Sequence, residues 1–412
     1  MIFALLFFIH SISASLIGGG AMPDGKVDKV VSHTGEATNH WHGPVWGADI
    51  AISMAPNWRA LQEWNNATLG LGVSYWNMGH EKLGHAISPY AYMDIPLVRL
   101  RHFELGLRPG IGAAFMTKTY SNTIDKEHLY KDAIGANDCI GSVTNLYFPE
   151  ALYMNFPLAK GWKLTLAGGW YHISNGSIRQ PNSGYNIFGG TLGVQKMVGR
   201  EGYQAKRREG DEAKRREGDE AMRREGDEAK KWSISIAGTA GGRQVYYKDQ
   251  QTFAVASMHI AAYWHACKIF RLGGGVDAFY DGAYIPRETR FGKTNLAAAQ
   301  KGDCWRVGVS VQPELVVGNF TAGFHVGAYM YDPVKNLEPK SEAEKTETGR
   351  LDKEIFYAYD FLKAGSAGNP DGWLYTEVVL RYHLPWNIFL QGMMKSHLTK
   401  VEFVSLGIGL YY

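Results

Sequence analysis

From about Val45 to its last residue, the chain consists of segments of roughly ten residues in which apolar side chains alternate with small or polar ones. Turns rich in Gly, Pro, Asn and Asp separate the segments. A period of two is the repeat of an extended strand with two unlike faces, and no sustained helical period competes with it. The chain is therefore predicted to be all-β. The clearest segments are Ala67–Tyr75, Tyr90–Leu97, Phe103–Phe115, Trp162–His172, Tyr185–Met197, Trp232–Ala240, Phe253–Trp264, Phe270–Tyr280, Trp305–Val311, Thr321–Tyr331, Trp373–Tyr382 and Ile388–Met394.

The last segment, VEFVSLGIGLYY, narrows the architecture further. Its apolar side chains recur at every second position from Val404 to Tyr412, whereas Ser405, Gly407 and Gly409 occupy the other face. An apolar face opposite a small or polar face is typical of a strand in a transmembrane β-barrel. The terminal aromatic residue also resembles the C-terminal recognition signal of bacterial outer-membrane proteins. The edge strand of a soluble sandwich could alternate in the same way, but the barrel is favoured.

The composition agrees with a barrel and excludes other classes of protein. The chain has 412 residues and a mean hydropathy of −0.24, without the run of about eighteen apolar residues that a transmembrane helix needs. The net charge of +3 is small and spread along the chain, which predicts no nucleic-acid partner.

The connections between segments alternate in length. Those at 157–161 and 384–387 are short, whereas those at 117–140, 281–303 and 332–372 are long and polar. Short periplasmic turns and long outer loops are the pattern of outer-membrane barrels. We therefore predict a transmembrane antiparallel β-barrel in the bacterial outer membrane, with about 14 strands (range about 12 to 16) and long outer loops. It would form one domain over residues 22–412.

The N-terminal residues 1–21 are predicted to be a secretory signal peptide. An apolar core at Ile2–Ile9 is followed by small residues between Ser13 and Ala21, where cleavage would occur. A basic segment before this core is missing from the sequence, so an apolar first strand stays an alternative.

A charged repeat interrupts the strand pattern at residues 205–231. The octapeptide AKRREGDE begins at Ala205 and again at Ala213, and a third copy carries Met222 in place of a lysine. Opposite charges nearly cancel within each unit, and its glycine disfavours a helix. We interpret the repeat as an insertion without a chemical role, in a turn on the periplasmic side.

Cysteine and histidine spacing predicts no metal site. The three cysteines lack the C-x-x-C spacing of a zinc site, and we expect at most one disulfide, between Cys139 and Cys304. His259 and His265 share one face of a predicted strand, but their separation of roughly 20 Å is too large for a joint site.

Residues 161–174, GWKLTLAGGWYHIS, form a predicted strand with a polar outer end. The face that begins at Trp162 is apolar through Trp170 and continues with His172 and Ser174, so in a barrel this pair would lie on the lipid-facing side. A histidine and a serine two residues apart can bring an imidazole nitrogen near a hydroxyl, the arrangement that activates a serine. Asn186, at the start of the next strand, would lie opposite and hold the other imidazole nitrogen.

The motif H-x-S-N at His172–Asn175, followed by Q-P-N at 180–182 and by Gly184, resembles the outer-membrane lipid A 3-O-deacylases, a family of acyloxyacyl hydrolases. The resemblance implies a β-barrel whose outer wall carries a Ser–His–Glu triad. It implies hydrolysis of an ester-linked acyl chain of lipid A or lipopolysaccharide in the outer leaflet, without a metal or other cofactor.

The resemblance also implies a role for each residue of the motif. Ser174 would be the nucleophile and His172 the general base. Asn175 would contribute to an oxyanion hole, together with a backbone N–H of Gly176 or Ser177. The family's glutamate falls on Asn186, so the third member of the triad departs from the family pattern.

Two alternatives stay open at this point. Outer-membrane phospholipase A carries H-x-S-N-G with an asparagine fourteen residues after the histidine, a spacing that His172 and Asn186 share. That enzyme depends on calcium, but the arginine and serine of its calcium site fall here on Ser177 and Asn182. The other alternative is a transport or structural barrel in which Ser174 and Asn175 belong to an ordinary polar turn.

Overall fold

The computed structural model describes residues 9–22, 44–56, 58–81, 83–123, 137, 139–180, 182, 184–198, 231–244, 252–284, 288–289, 292–293, 304–332, 374–397 and 400–412. Within them, the alternating segments form antiparallel strands, as the period of two predicts. The strands divide into two separate sheets, each closed on itself.

The N-terminal barrel contains the first nine strands. They are β1 (Ile9–Met22), β2 (Pro44–Met54), β3 (Thr68–Asn77), β4 (His85–Arg99), β5 (Glu104–Arg108), β6 (Gly110–Met116), β7 (Thr144–Pro157), β8 (Trp162–Ser174) and β9 (Tyr185–Met197). Strand β1 pairs with both β2 and β9, which closes the sheet. Strands β5 and β6 both lie between β4 and β7, so they are two parts of one barrel position, and the barrel has eight positions.

The C-terminal barrel has eight strands, and its last strand pairs with its first. They are β10 (Trp232–Gln244), β11 (Thr252–Cys267), β12 (Phe270–Asp281), β15 (Trp305–Val317), β16 (Phe320–Tyr331), β17 (Leu374–His383), β18 (Ile388–His397) and β19 (Lys400–Tyr411). A small hairpin, β13 (Glu288–Thr289) and β14 (Gly292–Lys293), lies in the connection between β12 and β15. Two short helices, α1 (Arg59–Glu63) and α2 (Tyr120–Thr123), lie in connections of the N-terminal barrel.

Side chains on the two faces of each sheet are distributed as in a membrane barrel. Leu16 and Leu406 are exposed on the outer surfaces, whereas charged groups such as Arg306, Lys395 and Glu402 are buried in the C-terminal barrel and contact one another. Polar groups inside and apolar groups outside are the reverse of a soluble sandwich. The predicted fold class is therefore confirmed. Neither helix is long or apolar enough to cross a membrane.

The expectation of one barrel of about 14 strands over residues 22–412 differs from the observed pairing, which forms two barrels of eight. One reason is a strand that the sequence pattern did not identify, β7, which contains Pro149. Proline interrupts the expected pattern because it lacks an N–H donor. Pro149 lies opposite the break between β5 and β6, where a side chain at Gly110 would contact its ring.

Residues 9–21, which belong to the predicted signal peptide of residues 1–21, lie in strand β1 in the structure. Ser11 is buried while Ile12 and Leu16 are exposed, so this segment alternates like the other barrel strands. The apolar first strand, which was the alternative, is what the structure contains. The other local expectation that differs is the disulfide: Cys139 and Cys304 are both buried but form none.

The two ends of the barrels differ in their connections. We call the end at which β8 stops and β9 starts the loop end, and the opposite end the turn end. Strand β9 ends and β10 begins at the turn end. The repeat itself, except Lys231, lies outside the described residues, as do most of the long outer loops.

The two barrels contact each other at both ends. At the turn end, the indole Nε1 of Trp64 donates to the carbonyl oxygen of Val316 at 3.0 Å, and Ala60 lies beside Gly318. At the loop end, the connection after β8 contacts β10 and β19. This second contact places the C-terminal barrel next to the residues that the sequence singled out.

Candidate active site

The predicted strand face is the one observed for His172 and Ser174. In β8, Trp162 and Trp170 are exposed on the outer wall, with 43% and 36% of their surfaces accessible, and both lie in phase with His172. Tyr171, on the opposite face, is buried in the barrel interior. The pair therefore points away from the lumen, at the loop end of the outer wall.

Ser174, His172 and Asn186 form a continuous chain of hydrogen bonds. The Oγ of Ser174 lies 2.8 Å from Nε2 of His172, and Nδ1 of His172 lies 2.7 Å from Oδ1 of Asn186. Asn186 is the direct cross-strand partner of His172 on β9. Adjacent antiparallel strands bring opposed side chains within about 5 Å, so this pairing alone places the amide beside the imidazole.

Trp170 determines which nitrogen of His172 carries the proton. Its indole Nε1 donates to Oδ1 of Asn186 at 2.9 Å, and an indole N–H can only donate. The amide oxygen, not the NH₂ group, therefore faces both rings, so Nδ1 of His172 must be the donor to it. Nε2 is then unprotonated and accepts from the Ser174 hydroxyl, as a general base requires.

The site is covered although it lies on an outer wall. His172 is 7% exposed and Ser174 is 1% exposed. The Trp170 ring stacks on the imidazole with centroids 5.2 Å apart, and Phe148 lies on β7 at 6.2 Å. Gly184 also lies beside the pair, since a side chain there would contact both His172 and Ser174. This packing restricts the imidazole to one orientation.

Asn175, predicted to help form the oxyanion hole, uses its donors within the loop. Its side-chain nitrogen donates to Oγ of Ser142 and to the carbonyl oxygen of Arg179, each at 2.8 Å. Its backbone N–H donates to Oδ1 of Asn182 at 2.9 Å. In this arrangement Asn175 organises the loop, and none of these donors is directed at an oxyanion.

Gly176 and Ser177 have the unusual backbone of this loop. Their φ angles are +63° and +62°, in the left-handed region that disfavours a residue with a side chain. Holding Ser177 there costs about 1 kcal/mol or more. Among the described residues, no hydrogen bond uses the N–H of either residue, so these two groups are the candidates for an oxyanion hole.

Contacts with the C-terminal barrel hold this strained loop. The Oγ of Ser177 donates to the carbonyl oxygen of Val401 at 2.8 Å, and its own carbonyl oxygen accepts from the N–H of Gln244 at 2.8 Å. A side chain at Gly176 would overlap Val404. The second barrel therefore contributes to the conformation of the loop beside Ser174.

The residues that align with the calcium site of the phospholipase are engaged in other contacts. The hydroxyl of Ser177 is directed at Val401, and the side-chain oxygen of Asn182 accepts from Asn175. These positions hold the loop together in this structure.

Sequence reasoning missed two contributors to the site. Trp170 was interpreted as part of an apolar face, although its indole N–H also reaches Asn186. The role of β10 and β19 could not be found either, because Gln244 and Val401 lie far from Ser177 in the chain and no local pattern links them.

Comparison with known proteins identifies two family models. "Lipid A 3-O-deacylase (PagL)" matches residues 46–195 and "Acyloxyacyl hydrolase, C-terminal domain" matches residues 231–341. The first range starts within β2 and ends within β9, and the second starts just before β10. Together the two models cover more than half of the chain and separate where the two barrels do. A search of curated proteins gives no match.

Several solved structures also match this chain. The outer-membrane enzyme PagL is 17% identical and covers 46% of this chain and 99% of its own, with a TM-score of 0.29. Neisserial surface protein A is 13% identical, covers 46% of this chain and 96% of its own, and has a TM-score of 0.26. A porin of Rh. blastica is 8% identical and covers 98% of this chain and 99% of its own, with a TM-score of 0.16.

The family models confirm the resemblance that His172–Asn175 suggested, and they confirm the predicted location in the outer membrane. The chain belongs to the PagL family of outer-membrane lipid A 3-O-deacylases, the acyloxyacyl hydrolases.

Proposed function

We propose that this protein is a serine hydrolase that removes an ester-linked acyl chain from lipid A or lipopolysaccharide in the outer leaflet. The observation that carries the proposal is the hydrogen-bonded chain from Ser174 through His172 to Asn186 on the outer wall of the N-terminal barrel. A lipid substrate held in the membrane contacts this outer wall, whereas the lumen of the barrel holds buried polar side chains such as Asp49 and Ser74.

The proposed reaction has two halves. Nε2 of His172 takes the proton of the Ser174 hydroxyl while Oγ attacks the ester carbonyl carbon. The carbonyl oxygen becomes an oxyanion next to the N–H groups of Gly176 and Ser177. The C–O bond to lipid A then breaks, and His172 returns the proton to the leaving alkoxide.

Water completes the cycle. His172 deprotonates the water molecule, which attacks the acyl-serine, and the fatty acid leaves as Ser174 recovers its proton. Throughout, Asn186 holds the imidazole through Nδ1 but carries no charge. It therefore gives the imidazolium less electrostatic support than the family's glutamate would.

The test compares lipid A from cells that produce the wild type or a variant. Ser174→Ala and His172→Ala should each abolish loss of the acyl chain in mass spectra, while the protein remains folded in the outer membrane. Ser233→Ala is a matched control, since Ser233 and His265 make the same hydroxyl–imidazole contact, also at 2.8 Å, at the turn end of the other barrel.

Other outcomes separate the alternatives. Full deacylation by either site variant would refute the assignment of the site. Calcium-dependent release of fatty acid from glycerophospholipids would favour the phospholipase, and ion conductance in planar bilayers without any hydrolysis would favour a transport barrel.

A further inference from the structure

The interior of the C-terminal barrel contains a second cluster of polar side chains, remote in sequence from the site above. His259 on β11, Asp277 on β12 and Glu377 on β17 are all buried. Nδ1 of His259 lies 2.9 Å from Oδ1 of Asp277 and 3.9 Å from Oε1 of Glu377. The three atoms lie within 4.8 Å of one another.

The buried carboxylates of this barrel differ in the side chains with which they form ion pairs. Glu314 contacts Arg271 and Arg381, and Glu402 contacts Arg306 and Lys395. By contrast, the ion pairs of Asp277 and Glu377 within the described part of the chain are with histidines alone.

One oxygen of this cluster is also unused. Oε2 of Glu377 accepts from Nδ1 of His325 at 3.3 Å, whereas Oε1 has no hydrogen-bond partner among the described residues. Glu377 is fully buried, at 0% exposure, so bulk water does not hydrogen-bond to this oxygen. An unpartnered buried carboxylate oxygen is costly unless a cation or a donor reaches it.

We propose that His259, Asp277 and Glu377 bind a divalent transition-metal ion, of which zinc is the best match. Imidazole nitrogen and carboxylate oxygen are ligands of zinc at roughly 2.0–2.2 Å, so two ligand atoms in a tetrahedral site lie about 3.4 Å apart. This value falls between the separations of 2.9 Å and 3.9 Å from Nδ1 of His259. The ion neutralises the two carboxylates and joins β11, β12 and β17 across the lumen.

Neighbouring groups orient the ligands as they do around known metal sites. Nε2 of His259 lies 2.6 Å from Oγ of Ser257, so an Nε2–H bond to the serine leaves the lone pair of Nδ1 for the ion. Tyr375 donates to Oδ2 of Asp277 at 2.6 Å and leaves Oδ1 for the ion.

The experiment uses the full chain without a polyhistidine tag, purified in detergent, stripped with EDTA and dialysed. Zinc chloride is then titrated, and bound zinc is measured by elemental mass spectrometry after desalting. We expect the wild type to bind about one zinc per chain, and His259→Gln and Glu377→Gln each to lose this zinc. His383→Gln is the matched control, a histidine of the same barrel whose Nε2 contacts Thr321. It should bind zinc like the wild type.

A second readout keeps the test decisive if a ligand variant fails to fold. Ser257→Ala retains all three ligands and removes the contact to Nε2, together with the hydroxyl contacts to Thr239 and Met393, so its zinc affinity should fall about 10- to 100-fold. Cobalt added to the stripped wild type should give the visible absorption of a low-coordinate site. If the wild type bound no more zinc than folded Glu377→Gln, or Ser257→Ala bound as tightly as the wild type, the proposal would be refuted.

Discussion

Replacing Asn186 by leucine is the most direct test of the hydrogen-bonded chain. Leucine has a similar volume but no acceptor, so the N–H at Nδ1 of His172 would face an apolar group. Leaving such a donor unsatisfied costs about 1–3 kcal/mol. The imidazole avoids this cost by moving its proton to Nε2, the nitrogen that faces Ser174 at 2.8 Å. In that tautomer His172 cannot accept the serine proton.

The expected loss of activity can be calculated from the free-energy cost of the unsatisfied N–H. Since about 1.4 kcal/mol corresponds to a tenfold change, the fraction of enzyme with the competent tautomer should fall about 5- to 150-fold. Initial rates of acyl-chain release from purified lipopolysaccharide should show this loss in kcat, with KM nearly unchanged. KM should change little because the described hydrogen bonds of the Asn186 side chain are made to His172 and Trp170.

Asn186→Glu is the matched variant. A glutamate restores the acceptor and adds the charge that the family pattern carries, so activity should equal or exceed that of the wild type. If Asn186→Leu kept the wild-type kcat while the protein remained folded, the contact to His172 would have no catalytic role. Activity lost equally in the leucine and glutamate variants would mean that Asn186 contributes only to packing.

Three further predictions concern the surroundings of the site. Trp170→Phe removes the donor that orients the amide of Asn186, so kcat/KM should fall about two- to fivefold. The same change in an Asn186→Glu background should have no such effect, because a carboxylate cannot turn a donor toward His172. Gly176→Ala should reduce the rate of deacylation at least about tenfold, because the added Cβ overlaps Val404 and the φ of this residue is +63°. Part of the activity should return when Val404→Ala is added. Full activity of the single variant would contradict the role of the loop. Millimolar calcium added to the purified protein should leave the deacylation rate unchanged, whereas a marked increase would favour the phospholipase alternative.

Much of the site could be predicted from the sequence because two of its residues lie close together on one strand. His172 and Ser174 share a face of one strand, and alternation along that strand determines whether this face points to lipid or to the lumen. Their contact at 2.8 Å needs no partner from elsewhere in the chain. The spacing of Asn186 indicated the third residue, although the sequence could not state that it pairs directly with His172 across β8 and β9.

The hydrogen bonds around the loop could not be predicted in this way. The side-chain donors of Asn175 are directed to Ser142 and Arg179, which leaves the backbone N–H groups of Gly176 and Ser177 as the proposed oxyanion donors. Gln244 reaches Ser177 from the other barrel. Each of these contacts depends on where a separate segment lies, which no spacing in the sequence encodes.

Local sequence pattern was sufficient to predict a membrane β-barrel chain with a histidine–serine pair on an outer wall, because a period of two is a property of neighbouring residues. The pairing of distant segments was needed to show that the strands close into two barrels, that residues 9–22 complete the first, and that β10 and β19 hold the loop beside Ser174. Alternation assigns a residue to a face, but closure and register depend on pairing between distant segments, and many pairings satisfy the same alternation.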